Sequence, residues 1–119
     1  MSKASLEVLR KAAEIQNKKG NDYQNPNSRI KQAMYYPRGC SSLLDIMYAK
    51  VLRMQSVMEA MEQDPNYNPN FESLEDTYKD MINYASFAVS YMRGKMEGQS
   101  SDRDMFNKTI EHPLRKIKL

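Results

Sequence analysis

Residues 42–63, SLLDIMYAKVLRMQSVMEAMEQ, followed by DPNYNPN at 64–70 and FESLEDTYKDMINYASFAVSYMRG at 71–94, decide the fold. At about 100° per residue, Leu44, Met47, Tyr48, Val51, Met54 and Met58 share one broad helical face. Leu43, Ile46, Val57 and Met61 extend it around a flank, which leaves a narrow remainder of Asp45, Ala49, Arg53, Ser56 and Ala60. Ser42-Leu43-Leu44-Asp45 resembles a capping box, and Asp64-Pro65 stops the helix, so it is expected over about 42–63. Asn68 before Pro69 offers an N-cap and a first helical turn for a second helix, over about 69–93 and ending at Gly94. Leu74, Tyr78, Met81, Ile82, Ala85, Ala88, Val89 and Met92 are expected to form its core face. So short a connection makes the two helices antiparallel neighbours. A helix as widely apolar as 42–63 has more apolar surface than a small domain can cover, and an oligomer is expected.

Outward from this pair, Ser5 to Lys19 carries Leu6, Leu9, Ala13 and Val8, Ala12, Ile15 at helical spacing, and Gly20 is its expected end. Residues 21–39 form a long loop punctuated by Asn25-Pro26-Asn27 and Pro37-Arg38-Gly39, with a short helix expected over 28–34. Residues 98–119 form a polar, basic tail with a short helix expected from Arg103 to His112. The reading is therefore an all-α domain over 1–97 followed by a tail over 98–119.

The whole chain has 119 residues, enough for one domain. Neither an apolar run long enough to span a membrane nor a secretory leader is visible, so a cytoplasmic location is expected, the host cytoplasm if the gene is phage-borne. One cysteine, Cys40, and one histidine, His112, argue against disulfides, structural zinc and histidine-based catalysis. Ten methionines and eight tyrosines predict an adaptable core whose tyrosines can also serve a ligand. The net charge of +3 divides into +5 over residues 1–40, −4 over 41–97 and +2 over the remainder. Acids interrupt the basic residues throughout, which disfavours duplex nucleic acid as a partner and leaves small anions open.

Three groups of residues carry chemistry. Glu72, Asp76, Asp80 and Asn83 fall at spacings of four, four and three, one oxygen-bearing stripe that suits magnesium or, more plainly, a solvated helical face. Lys50 and Arg53 lie level with it on the preceding helix, as phosphate ligands or as structural partners of Asp76 and Asp80. The long loop adds Asp22, Tyr23, Arg29, Lys31, Tyr35, Tyr36 and Arg38, rings that can stack on a base among cations that reach phosphates; a tyrosine in such a loop also commonly plugs the core. No glycine-rich phosphate loop occurs.

The order of these residues carries a resemblance. Lys19-Gly20-Asn21-Asp22-Tyr23-Gln24, then Ser42-Leu43-Leu44-Asp45-Ile46 with Lys50 and Arg53, then Glu72-Ser73-Leu74-Glu75-Asp76-Thr77 through Asp80, Asn83 and Tyr84, resembles the small helical phage and bacterial proteins called nucleotide modification associated domain 1. The similarity spans about residues 18–92 and implies a nucleotide-related helical protein. By position it favours Asp22, Tyr23, Lys50, Arg53, Asp76, Asp80, Asn83 and Tyr84 as site residues. A looser similarity is to all-α nucleotide pyrophosphohydrolases, whose paired carboxylates Glu59, Glu62, Glu72 and Asp76 imitate. In size and helical hairpin the chain also resembles phage sponges for cyclic nucleotide signals.

These readings rank in order. First comes a non-enzymatic, phage-type sponge for a nucleotide-derived, even cyclic, immune signal, needing no cofactor. Second comes a magnesium-dependent nucleotide pyrophosphohydrolase with Glu72, Asp76 and Asp80 as metal ligands. Third comes a purely structural interaction protein.

Overall fold

A computed structural model describes residues 3–23, 27–68 and 73–111, with only the backbone at 21–23. Among these residues the fold is all-α: α1 at Lys3–Tyr23, α2 at Cys40–Gln63 and α3 at Leu74–Met92, with a 3-10 turn at Gln32–Tyr35. α2 and α3 pack together as the expected hairpin, and α1 lies against α3. No helix among the described residues is long and apolar enough to cross a membrane.

The helix ends depart from the sequence expectations in instructive ways. α1 does not stop at Gly20 but runs to Tyr23. A mid-helix glycine costs about 1 kcal/mol relative to alanine and does not by itself break a helix. α2 starts at Cys40 behind Gly39, two residues before the expected Ser42. Ser42 Oγ accepts the Arg38 backbone N–H at 2.9 Å, and Asp45 pairs with the Arg38 guanidinium instead of reaching back to Ser42. α3 is capped by Ser73, whose Oγ accepts the Asp76 N–H at 3.1 Å, so the helix proper begins after the Asn68-Pro69 position expected from sequence. Pro69 and Glu72 lie outside the described residues. Glu75 and Asp76 occupy the first turn of α3, where negative charge suits the helix dipole.

The core sits where the 3-10 turn, the start of α2 and the end of α3 converge. Ala33, Tyr36, Leu43, Tyr91 and Met96 are buried there, with Cys40, Ile46, Tyr84, Phe87 and Ala88 packed against them. Methionine contributes less than composition suggests: Met54 and Met96 are buried, whereas Met34, Met58, Met61 and Met92 are exposed. α3 is also turned away from its expected orientation. Thr77, Asn83 and Tyr91 are its buried residues, and Tyr78, Val89 and Met92, expected in the core, are exposed. Two packed neighbours, α1 and α2, draw its polar-mixed side inward.

The described residues after α3, 93–111, contribute to this core and contain no helix. Instead of the short helix expected from Arg103, residues 103–109 make a tight turn closed by a bridge between Arg103 and Thr109, with Asn107 at φ 59°. His112 lies outside the described residues. The turn docks on the α2 start: Cys40 N–H donates to the Met105 carbonyl at 2.8 Å, and Asn107 Nδ2 donates to the Pro37 carbonyl at 2.9 Å. Ala33 N–H donates to the Glu97 carbonyl at 3.0 Å, and the Gln99 amide bonds both Tyr91 O and Met96 N–H. Gly39 makes the junction feasible. It holds φ +57°, and a Cβ there would meet the Met105 carbonyl and come within 2.6 Å of the Tyr91 ring.

Candidate functional site

The 3-10 turn and the segment before it stand away from α1 and α3, leaving a cleft of about 560 Å³ between them. That volume lies within the range of small-molecule sites, roughly 300–1,000 Å³. Gln16, Lys19 and Gly20 of α1 form one wall, Asp80, Asn83, Tyr84 and Phe87 of α3 the floor, and Ser28, Ile30, Lys31, Gln32 and Tyr35 the other wall, with Glu97 at the rim.

Each floor residue is held. Gln16 Nε2 lies 3.2 Å from Asn83 Oδ1 and 3.1 Å from Ser86 Oγ, which fixes the amide of the buried Asn83 and ties α1 to α3. Lys50 reaches from α2 to place Nζ 3.2 Å from Asp80 Oδ2, and the same ammonium lies 5.8 Å from the centre of the Tyr84 ring. Lys19 Nζ approaches the other Asp80 oxygen at 3.9 Å. Tyr84 meets Phe87 edge to face, centroids 5.7 Å apart. One carboxylate thus sits between two ammonium groups beside an aromatic pair, an arrangement that keeps cations oriented at the floor.

The other wall carries Tyr35, 71% exposed, and Lys31, whose ammonium lies 3.5 Å from Glu97. Gly98, at φ +87°, lets the chain pass against the Lys31 stem. Behind Tyr35, burial, reinforced by Tyr84 and Tyr35, pushes the Tyr36 hydroxyl above its usual pKa, against the opposing hydrogen bond with Gln32. Tyr36 therefore serves as a neutral core residue next to the cleft, and the ring facing the opening is Tyr35.

Of the residues singled out from sequence, the fold brings Lys31, Tyr35, Asp80, Asn83 and Tyr84 to one cleft, with Lys50 seated on Asp80 and Tyr84. Asp22 and Tyr23 fall on the last turn of α1, and their side chains lie outside the described ones. Arg29 is exposed and does not line the cleft; Arg38 is exposed at the α2 start, engaged with Asp45. Arg53 and Asp76 are exposed on α2 and α3 and are not among the cleft's lining residues. Glu72 lies outside the described residues, among which no three His, Cys, Asp or Glu side chains gather as a metal site. Sequence reasoning did not pick out Gln16, Lys19, Gln32, Phe87 or Glu97. The available signal was in α1, where Gln16 and Lys19 sit three apart, next to the apolar stripe.

Fold and site together define a small all-α protein with a helical hairpin and a polar-aromatic cleft lined by lysines and amides. The family model for nucleotide modification associated domain 1 matches residues 19–92, well over half of the chain. The protein belongs to that family. No curated protein and no solved structure is significantly similar to it.

Proposed function

We propose that the cleft binds a nucleotide-type ligand and holds it without cleaving it. The observation that carries this reading is the pairing, within about 560 Å³, of an exposed ring, Tyr35, with the ammonium groups of Lys19 and Lys31 and the amides of Gln16, Gln32 and Asn83. A base stacks on Tyr35 and hydrogen-bonds the amides, while phosphate oxygens accept from the lysines. Lys50, seated on Asp80 and Tyr84, adds positive potential at the floor. Membership in a nucleotide-associated family supports the ligand class. The sharpest form of the reading is a phage-type sponge that sequesters a nucleotide-derived, cyclic signal in the host cytoplasm, stoichiometrically and without a metal.

The test incubates the protein with linear and cyclic nucleotides, with and without magnesium, and records melting temperature together with the chemical identity of each recovered compound. Stabilisation by one class of nucleotide, recovered intact, and a loss of at least tenfold in affinity on combining Lys19→Ala with Lys31→Ala are expected. No stabilisation by any nucleotide would sink the reading. Magnesium-dependent turnover abolished by Asp76→Ala or Asp80→Ala would replace it with a pyrophosphohydrolase using Glu72, Asp76 and Asp80.

A further inference from the structure

Charge in the cleft is graded from floor to mouth. At the floor the mostly buried Asp80 and Lys50 face each other and largely cancel. At the mouth stand Lys19, Lys31 and Glu97, with side-chain exposures of 61%, 40% and 54%. Among the described residues that line the cleft or support its floor, three ammonium groups therefore stand against two carboxylates, a net of one positive charge. Glu97 is a fixed feature of this mouth. Its carbonyl accepts the Ala33 N–H at 3.0 Å. On one side of it Met96 is buried, with its N–H on the Gln99 amide oxygen at 3.1 Å. On the other, Gly98 at φ +87° packs so closely on the Lys31 stem that a Cβ there would come within 3.2 Å of Lys31 Cγ. The carboxylate is thereby held 3.5 Å from the Lys31 ammonium, by a segment that lies beyond residues 19–92 of the family match.

We propose that Glu97 sets the charge of the ligand: the cleft takes a nucleotide with a single phosphate group, an open monophosphate or a cyclic mononucleotide, and turns away triphosphates and dinucleotides. The proposal rests on the nucleotide reading of the cleft and narrows it. A phosphate received by Lys19 and Lys31 brings about one negative charge when cyclic and up to about two when open, an amount that two ammonium groups can offset. Each further phosphate adds about one more negative charge. It finds no further ammonium among the described residues at the mouth, and it comes beside the Glu97 carboxylate. Such a like-charge approach is a repulsive element, and repulsion of this kind separates close relatives that share the same base and sugar.

The test measures affinity by calorimetry, without magnesium, for the nucleoside, monophosphate, triphosphate, cyclic mononucleotide and cyclic dinucleotide of each base. For the preferred base, a one-phosphate compound is expected to bind at least about tenfold tighter than the nucleoside, the triphosphate or the dinucleotide. Glu97→Gln keeps the shape of a half-exposed side chain and removes its charge. It is expected to raise triphosphate affinity at least about fivefold more than monophosphate affinity, and Glu97→Lys to move the ratio further the same way. The ratio separates selection by charge from a structural role, since a loosened wall weakens every ligand together. Affinity that climbs with phosphate number, a nucleoside or dinucleotide that binds as tightly as the one-phosphate compound, or a ratio unmoved by Glu97→Gln would overturn the inference and leave the nucleotide reading standing. No binding by any nucleotide would overturn both.

Discussion

Replacing Asp80 by asparagine tests the organisation of the cleft floor. The carboxylate holds Lys50 Nζ at 3.2 Å and Lys19 Nζ at 3.9 Å, with side-chain exposures of 24% for Asp80, 20% for Lys50 and 61% for Lys19. Asparagine keeps the shape and removes the charge. At an effective dielectric constant of about 20 the Lys50 contact is worth roughly 5 kcal/mol of gross attraction, most of it cancelled by desolvation. A charge-assisted hydrogen bond leaves about 1.5–3 kcal/mol net. The exposed, longer Lys19 contact adds a few tenths of a kcal/mol at most. Asp80→Asn is therefore expected to cost about 2 kcal/mol, a fall of roughly 8 °C in melting temperature for a chain of this size. Urea unfolding of Asp80→Asn, Lys50→Met and the double variant isolates the pair, methionine keeping most of the lysine stem. A coupling of about 1–2 kcal/mol is expected. A coupling below about 0.5 kcal/mol, or one as large in the equivalent cycle with Lys19→Met, would refute the ranking of the two contacts by burial.

Gly39→Ala, which drives a methyl toward the Tyr91 ring and the Met105 carbonyl at φ +57°, should destabilise the chain by about 3 kcal/mol or more. Gly94→Ala, at φ +72° in open space, should cost only about 1 kcal/mol in the same denaturation assay, and equal losses would show that crowding at Gly39 is relieved. Burial raises the Cys40 thiol above its usual pKa, and Sγ lies 3.4 Å from the Ala88 carbonyl, so its reaction with a disulfide reagent should be slow near neutrality and accelerate with pH. A fast reaction at neutral pH in the folded protein would contradict this. Tyr36 and Tyr91 are also raised, mainly by burial, and they stabilise the fold fully below about pH 10 and lose that contribution as pH rises through their folded values. Alkaline absorbance titration should lose its latest-titrating groups in Tyr36→Phe and Tyr91→Phe; an unchanged high-pH limb would argue against their burial.

The three long helices and their order were legible along the chain, because apolar residues recur at spacings of three and four through each of them and Asp64-Pro65 interrupts the run between the last two. Polar groups inside an otherwise apolar helical pattern brought Lys50, Asp80 and Asn83 into consideration, the cations and rings of the long loop brought Lys31 and Tyr35, and Tyr84 came only from the family resemblance. Which way α3 faces was set by packing. Its polar-mixed side is drawn between α1 and α2, so Tyr78, Val89 and Met92 turn outward, a choice among faces that periodicity cannot make. The tertiary structure likewise decided that Tyr35 and not Tyr36 faces the cleft, since neighbours in a 3-10 turn point in different directions and only packing selects the buried one. The docking of residues 95–109 was hidden for a related reason. It rests on backbone hydrogen bonds from Cys40 to Met105 and from Ala33 to Glu97, and backbone groups, common to nearly every residue, leave no mark in the side-chain pattern.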